Sequence, residues 1–463
     1  MINYFNFKKF DVDYLITNDM GRYSFVDRDI LISMIKNNVD INNSKYSELK
    51  ENMFVFDEHP SVFTHNVSDY VSANKRYLLE STGLFIFVVT KRCNMNCIYC
   101  QAKANQDYDA DMTKEIAKKG VDIALSSPGQ HITIEFQGGE PLLNYDIVKY
   151  IIDYSQAIKG DKTIEYCIAT NLSLLNDEIL EYFKKYFVGI STSLDGDKKI
   201  HTYNRQCNDK TFDDFERKVY NVKKCGCSLN AIQTTTRYSL KYPKDIINEY
   251  VRLGFDSIFI RPLTKLGSAK ELWDNIGYTS KEFLKFYEIC FKYIIELNKS
   301  GTYIQETHAS ILLRKILAGY SDNYMELRSP CGAGVGQMAI NYDGNIYTCD
   351  EGRMLAEMGN QAFLLGNVYN STYNELVESP VCKTACASSV LESQLKCCDC
   401  VYQPYCGVCP VINLANENDI VSKSPKQYRC EIYEGILDLI FNILKSDDLE
   451  AIEILKNWAD VRG

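Results

Sequence analysis

Apolar and β-branched residues recur in short runs between residues 84 and 320, and longer amphipathic segments separate these runs. Short runs of this kind predict strands, and apolar residues spaced three and four apart predict helices. The alternation predicts a parallel sheet with covering helices, in about six βα units. The predicted strands are 84–90, 132–136, 165–169, 188–193, 229–235 and 257–260, and the predicted helices include 114–125, 146–158 and 177–186.

The pattern differs at both ends of the chain. Two short apolar runs, 14–17 and 23–26, flank a turn-forming segment at 18–21 and predict a hairpin, and residues 29–38 have helical spacing. After residue 326 the sequence is rich in glycine and cysteine, and a closing helix is predicted at 433–445. We therefore expect four regions: a small α/β unit at 1–80, the parallel sheet at 81–325, a Cys-rich region at 326–432 and a helical segment at 433–463.

Composition narrows the class of protein. The net charge of −10 disfavours a nucleic-acid partner, which would need a basic face. The sequence contains no apolar run of about 18 residues and its start lacks a secretory pattern, so we expect a cytoplasmic protein with no membrane partner. In a reducing compartment, 18 cysteines are expected to be metal ligands or buried thiols.

Three of these cysteines, Cys93, Cys97 and Cys100, directly follow the first predicted strand of the sheet. Thiolates are soft ligands that suit iron–sulfur clusters. Three ligands for four irons would leave one iron open for a substrate. The alternative is a structural zinc site, which normally takes four ligands, and no fourth candidate is nearby in the sequence.

The CxxxCxxC spacing, with Tyr99 before the last cysteine, resembles the signature of the radical SAM superfamily. The resemblance implies a [4Fe–4S] cluster whose open iron binds the amino and carboxylate groups of S-adenosylmethionine. It also implies that an electron from the cluster breaks the S–C5′ bond and yields a 5′-deoxyadenosyl radical. The expected fold is a partial (β/α)6 barrel.

Further polar residues follow successive predicted strands, where parallel barrels collect their chemistry. Gly138-Gly139-Glu140 resembles the GGEP motif of the family, which implies that Glu140 binds the methionine amino group. The Arg205 guanidinium matches a carboxylate, and Tyr99 is expected to contact adenine. Each residue alone is equally consistent with a turn or loop. The remaining candidates, for ribose and carboxylate oxygens, are Thr170, Asn171, Ser193 and Asp195.

The C-terminal cysteines resemble the SPASM extension, a domain with two auxiliary [4Fe–4S] clusters. This resemblance implies that Cys331, Cys349 and Cys409 bind the first cluster. This first cluster then lacks an obvious fourth cysteine ligand. Its fourth iron would be open, would have a ligand other than cysteine, or would be bound by Cys382 or Cys386. The implied ligands of the second cluster are Cys397, Cys400, Cys406 and Cys430. The alternative is a zinc-ribbon-like site made by Cys397, Cys400, Cys406 and Cys409.

Longer segments, among them 135–144, 191–196, 258–263 and 350–359, resemble the His-Xaa-Ser system maturase HxsB group. That resemblance implies modification of a ribosomally made precursor peptide. Residues 1–80 resemble a PqqD-like peptide-recognition unit, and a structural N-terminal cap is the alternative.

The expected reaction is a two-electron oxidation of the peptide, with a side-chain cross-link as product and a reductant such as flavodoxin or ferredoxin as partner. No catalytic acid or base is identified, and Arg261, Glu306 and His308 are candidates that are as consistent with structural pairs. One alternative is oxidation of a single Cys or Ser in a protein partner, as in anaerobic sulfatase maturation. The other is a non-enzymatic metal-binding scaffold or electron carrier.

Overall fold

The computed structural model describes residues 1–104, 110–319, 327–421 and 427–460. Its centre is a sheet of ten strands, in the order β10-β9-β8-β7-β6-β5-β4-β11-β12-β13. Strands β4 to β10 run parallel to one another. The strands are β4 (Leu84–Thr90), β5 (His131–Gly138), β6 (Thr163–Ala169), β7 (Gly189–Ser193), β8 (Leu229–Thr234), β9 (Ser257–Arg261), β10 (Gln305–Glu306), β11 (Gln337–Ile340), β12 (Asn345–Tyr347) and β13 (Leu364–Asn367).

Helices cover the outer face of the parallel strands, and their side chains form the main apolar core with the outward residues of the sheet. Strand β4 is almost wholly apolar because it is buried on both faces, as expected of a central parallel strand. The helices are α4 (Lys114–Leu125), α5 (Tyr145–Ile158), α6 (Asp177–Lys185), α7 (Lys198–Arg205), α8 (Asp209–Cys225), α9 (Pro243–Arg252), α10 (Gly267–Glu271), α11 (Trp273–Ile276), α12 (Ser280–Lys299) and α13 (Thr307–Leu313), the last of which continues as a π-helix over Arg314–Ala318.

The N-terminal unit consists of three antiparallel strands followed by three helices. One face of this sheet forms a small core with the helices, around Ile16, Val26 and Leu31. The other face contributes Phe10 and Leu15 to the main core. The elements are β1 (Asn6–Phe10), β2 (Asp13–Thr17), β3 (Tyr23–Val26), α1 (Arg28–Ile35), α2 (Tyr46–Glu51) and α3 (Pro60–Asn74).

The C-terminal region is joined to the central sheet. Strand β11 pairs in parallel with β4, and β12 and β13 continue the sheet as antiparallel strands. Among the described helices, none is long and apolar enough to cross a bilayer. The remaining helices are α14 (Asp350–Ala356), α15 (Tyr373–Val377), α16 (Pro380–Ala387), α17 (Pro410–Glu417), α18 (Tyr428–Lys445) and α19 (Leu449–Trp458), and single 3-10 turns lie at Arg76–Leu79, Pro141–Asn144, Ser239–Lys241, Leu391–Ser393 and Gln403–Tyr405.

The mixed α/β architecture with a large, mostly parallel sheet is confirmed, and all six predicted strands are present. The sheet extends beyond those six, since β10 follows β9 at one edge and β11 to β13 follow β4 at the other. The closing helix begins five residues earlier than predicted, at Tyr428. Strand β1 and helices α2 and α3 were not predicted.

Candidate active site

A cavity of about 260 Å³ lies at the carboxyl ends of the parallel strands. Cys93, Cys97 and Cys100, on the loop after β4, all line it. Their role as cluster ligands stays a prediction. The other predicted residues that line the cavity are Tyr99, Gly138, Gly139, Thr170, Asn171, Ser193 and Arg205. Glu140 and Asp195 do not line it, because both are fully buried behind its wall.

The three thiols are half-buried and lie close enough together for their charges to interact. The pKa of the Cys97 thiol is raised to about 12, chiefly by burial, while Arg205 lowers it and the charges of Asp195, Cys100 and Cys93 raise it. Burial likewise raises the pKa of the Cys93 thiol to about 11. Since a metal ligand must be the thiolate, binding of iron here would be coupled to release of these protons.

Two glycines hold the cysteine loop against the end of β5. The Gly139 N–H donates to the Thr90 carbonyl oxygen at 3.0 Å, and the Glu140 N–H donates to the Arg92 carbonyl oxygen at 2.8 Å. A β-carbon at Gly138 would collide with Thr90, and one at Gly139 would collide with the Arg92 backbone. Glycine is required here because two backbone segments approach more closely than a side chain permits.

The Glu140 carboxylate is engaged inside the protein. It accepts hydrogen bonds from the Thr170 hydroxyl at 2.7 Å, the Asn171 N–H at 2.7 Å and the Leu142 N–H at 3.0 Å. These bonds tie the loop after β5 to the loop after β6. The predicted contact of Glu140 with a methionine amino group stays a prediction, and the structure shows Glu140 positioning the residues that line the cavity.

A buried network joins three of the predicted residues. The Tyr99 hydroxyl donates to the Asp195 carboxylate at 2.8 Å, and Arg205 donates to Tyr99 at 2.7 Å and to Asp195 at 3.2 Å. The guanidinium charge is therefore balanced before any ligand enters. Arg205 also lines the cavity, so it can present part of its donor set to an anionic group there.

Sequence analysis did not single out Gln137, Thr192 and Met354, which also line the cavity. Gln137 is the last side chain of β5 before the paired glycines. Successive side chains of a strand point to opposite faces, so the burial of Phe136 against the helices would have predicted that Gln137 faces the cavity. The Thr192 hydroxyl is buried and has no hydrogen-bond partner among the described residues. Met354 comes from α14, so the C-terminal region completes the wall.

The three candidates for acid–base chemistry, Arg261, Glu306 and His308, do not lie at the same site. Arg261 lines the cavity, whereas Glu306 and His308 do not. Glu306 accepts hydrogen bonds from the backbone of Ile260 and Ala309, and it caps the N-terminus of α13. His308 is buried between the rings of Phe259 and Tyr433. The structure thus gives Glu306 and His308 structural positions.

The family model described as the radical SAM superfamily matches residues 87–239, which include the cysteine loop after β4 and the ends of β5 to β8 that line the cavity. The chain belongs to the radical SAM superfamily. An uncharacterized protein of Methanocaldococcus jannaschii is 29% identical over 285 residues, which cover 61% of this radical SAM chain and 90% of that protein. A cysteine-type anaerobic sulfatase-maturating enzyme of Clostridium novyi is 24% identical, over 71% and 87% of the two chains. The radical SAM cyclopropyl synthase TigE of Paramaledivibacter caminithermalis is 25% identical over 42% of each chain.

Two solved structures share the fold of this radical SAM chain. The AdoMet-bound form of anSMEcpe aligns with a TM-score of 0.65 at 21% identity, over 81% of this chain and 100% of that one. Streptococcus suis SuiB bound to its precursor peptide SuiA aligns with a TM-score of 0.55 at 16% identity, over 93% and 98%.

The residues of this radical SAM site fit the cofactors of the superfamily, a [4Fe–4S] cluster and S-adenosylmethionine. Three thiols that converge on one cavity are the donor set for a cluster with one open iron. Beside them, the buried and unpartnered Thr192 hydroxyl and the Arg205 guanidinium offer contacts to a polar ligand. The prediction of these cofactors is confirmed at the level of the superfamily.

Seven of the ten cysteines in the C-terminal region of this radical SAM chain fall into two sets. In one, the pKa of the Cys406 thiol is raised to about 12, chiefly by burial and also by the nearby thiols of Cys400, Cys430 and Cys397. These four are the ligands that the SPASM resemblance implies for a second auxiliary cluster.

Cys409 belongs to the other set. With Cys331 and Cys349 it lies in a separate buried apolar cluster, together with residues such as Leu266 and Val411. Burial raises the pKa of Cys349, and the charges of Glu351, Cys409 and Cys331 add to this effect. The partition disfavours a zinc ribbon in which Cys409 joins Cys397, Cys400 and Cys406.

Within the ranges that the structure describes, no three Cys, His, Asp or Glu side chains converge as ligands of a single ion. A cubane cluster binds each thiolate at a different iron, so its ligands need not converge in this way.

Proposed function

We propose that this chain is a radical SAM maturase that oxidises a ribosomally made precursor peptide by two electrons, with a side-chain cross-link as the product. The observation that carries the proposal is the separation of the C-terminal cysteines into two sets beside a complete radical SAM site. A pair of auxiliary clusters at these sets would give the enzyme acceptors for the surplus electron of an oxidation.

Cys93, Cys97 and Cys100 would hold the radical SAM cluster. This cluster and S-adenosylmethionine together supply the 5′-deoxyadenosyl radical that removes a hydrogen atom from the peptide. The chain itself positions the reactants: Arg205 would face the carboxylate of the cosubstrate, while Thr170 and Asn171 are held in place by Glu140. Met354, on α14, lines the cavity and would help to limit access of water.

Two observations favour a peptide substrate. The N-terminal unit contains the predicted hairpin, β2 and β3, followed by helix α1, which is the pattern that resembles a PqqD-like recognition unit. The alignment with SuiB, a protein solved with a precursor peptide, covers 93% of this chain, whereas that with anSMEcpe leaves about a fifth of it unmatched, close to the size of this unit. The peptide would be a ribosomal product, and flavodoxin or ferredoxin in the cytoplasm would be the reductant.

The test is anaerobic co-expression with the short peptides encoded by neighbouring genes, followed by mass spectrometry. We expect a loss of two mass units per modification, with fragmentation locating the change at two linked residues. Cys97→Ala should abolish both the modification and the release of 5′-deoxyadenosine. The matched control is Cys290→Ala, at a buried thiol of α12 away from the site, which should leave both unchanged. An unmodified peptide beside active release of 5′-deoxyadenosine would contradict the proposal.

A second candidate function is oxidation of a single Cys or Ser in a protein partner. The alignment with the Clostridium novyi enzyme favours it, since this chain covers 87% of that sulfatase maturase. A peptide with one Cys and no cross-linking partner distinguishes the two functions. Formation of an aldehyde that reacts with a hydrazide would support the second candidate and count against the first.

A further inference from the structure

A second cavity, of about 50 Å³, adjoins the cavity of the active site. Arg261, the last residue of β9, and the following Pro262 line both cavities. The loop after β9, helix α17 and the first turns of α18 form the rest of its wall. A group bound in the second cavity would therefore lie close to a substrate in the active site.

Three cationic side chains line the second cavity. Arg261 ends β9, Lys265 lies in the loop that follows, and Arg429 lies in the first turn of α18. All three residues are half-buried. Among the described residues that line this cavity, none is acidic. Because the whole chain has a net charge of −10, this concentration of positive charge is local, and it favours an anionic ligand.

Aromatic rings position two of these cations. The Lys265 ammonium nitrogen lies 4.5 Å from the centre of the Trp273 ring. The Arg429 guanidinium lies 5.0 Å from the centre of the Tyr433 ring and donates to the Tyr433 hydroxyl at 2.6 Å. An aromatic ring attracts a cation without neutralising its charge. The rings thus fix the cations at the wall of the cavity.

The volume of the cavity limits the size of its ligand. A single water molecule needs about 10–15 Å³ of such space, so the cavity holds a group of about four heavy atoms. A carboxylate with its adjoining carbon has this size, whereas a nucleotide is far larger. The planar guanidinium groups of two arginines also match the geometry of a carboxylate.

We propose that the second cavity binds a carboxylate of the substrate peptide and so selects peptides with an acidic group beside the residue that is oxidised. The inference rests on the proposed function, because it takes a peptide as the ligand. The carboxylate is either an Asp or Glu side chain or the C-terminus of the peptide. Arg261 lies between the two cavities, so it would set the distance from the carboxylate to the reacting residue.

The experiment measures binding by fluorescence anisotropy, with the full chain reconstituted without oxygen. The probes are the fluorescein-labelled peptide encoded by a neighbouring gene, versions with each Asp or Glu replaced by Asn or Gln, and a version with a C-terminal amide. We expect that neutralising one carboxylate raises the Kd about tenfold, from the loss of hydrogen bonds between charged groups. Which version binds more weakly identifies the source of the carboxylate.

Two variants test whether that carboxylate meets the cations of the cavity. In Lys265→Gln and Arg429→Gln, the unchanged peptide should bind about tenfold more weakly, and neutralising the same carboxylate should cost little further affinity. Arg429 directly precedes Cys430, so the iron content of each variant is measured, and Lys265→Gln decides the result if Arg429→Gln loses iron.

The matched control is Lys244→Gln. The Lys244 ammonium nitrogen also lies over a ring, 4.6 Å from the centre of Tyr293, but this residue lines neither cavity. It should bind every peptide as the wild type does.

Equal affinity of the wild type for all the peptides would overturn the proposal. So would an equal loss of affinity on neutralisation in the wild type and in Lys265→Gln, because the carboxylate would then bind elsewhere. These are measurements of binding, so their outcome does not depend on whether the peptide loses two mass units. Failure of this inference is therefore distinguishable from failure of the proposed function.

Discussion

Glu306 is a fully buried carboxyl group, and burial raises its pKa to about 7 despite hydrogen bonds from Tyr287 and two backbone N–H groups. The folded protein therefore holds this proton more tightly than the unfolded chain, in which an ordinary Glu has a pKa of about 4.3. The stability that the group contributes is complete below the unfolded pKa and is lost as the pH rises through the folded pKa.

We expect Glu306→Gln, which does not titrate, to gain up to about 3 kcal/mol in stability relative to the wild type as the pH rises from about 5 to about 8. The measurement is the difference in denaturation midpoint between the two proteins at several pH values under argon. Using the difference cancels the pH effects that both proteins share. A difference that does not change with pH would contradict the buried, titrating role of Glu306.

At the scale of residues, the grouping of Cys93, Cys97 and Cys100 was predictable because the three residues are only a few positions apart in the sequence. The roles of Glu140 and Asp195 were not, because a motif shows that a residue follows a strand but not whether its side chain faces the cavity or the protein interior. Both carboxylates lie behind the wall, where other side chains and backbone N–H groups satisfy them. The sequence analysis did not name Gln137 as a cavity residue, although the alternation of side chains along β5 predicts that it faces the cavity.

At the scale of elements, the contact between the end of β5 and the cysteine loop can be tested through Gly139. We expect Gly139→Ala to displace the Arg92 backbone and with it the adjacent Cys93, because the added β-carbon collides with main-chain atoms that cannot rotate away. The iron content after anaerobic reconstitution should fall by about one cluster, as the C-terminal sets stay intact. Gly83→Ala is the control, since its β-carbon would meet only an ordinary contact at 3.6 Å. Full iron content in Gly139→Ala would show that the loop tolerates this shift.

The elements that sequence analysis predicted are those with long apolar runs. Strand β4 is recognisable because both of its faces are buried. Strand β1 carries Lys8 and Lys9 and was missed, because its stability comes from pairing with β2 and from the contacts of Lys8 with Glu434 and Asp438 on α18. Such long-range contacts leave no periodic signal in the sequence.

At the scale of the whole molecule, the N-terminal unit is anchored on α18. The Phe441 ring lies 5.2 Å from Tyr23 and 6.3 Å from Phe25, and it is fully buried. The Asn6 side chain donates to the carbonyl oxygens of Cys398 and Cys400, and Cys400 belongs to the set around Cys406. Removal of residues 1–75 would therefore expose the main core, and point variants are the better probe of peptide recognition.

We expect Phe441→Ala to destabilise the protein by about 3–5 kcal/mol, as for other buried Phe truncations. The loss should loosen the N-terminal unit first, so limited proteolysis should release a fragment from the first 80 residues faster than from the wild type. Phe187→Ala is the control, because this side chain is 90% exposed and its loss leaves no cavity. Equal rates of release in Phe441→Ala and the wild type would show that other contacts anchor the unit.

The parallel pairing of β11 with β4 has a consequence for electron transfer between the cysteine sites. Cys93 follows β4, and Cys349 follows β12. The radical SAM cysteines and the set that contains Cys349 are therefore attached to strands of one continuous sheet. Hydrogen-bonded strands hold their neighbours at a fixed spacing. Clusters held at the two sites would therefore keep a constant separation, and electron transfer between them would need no movement of domains.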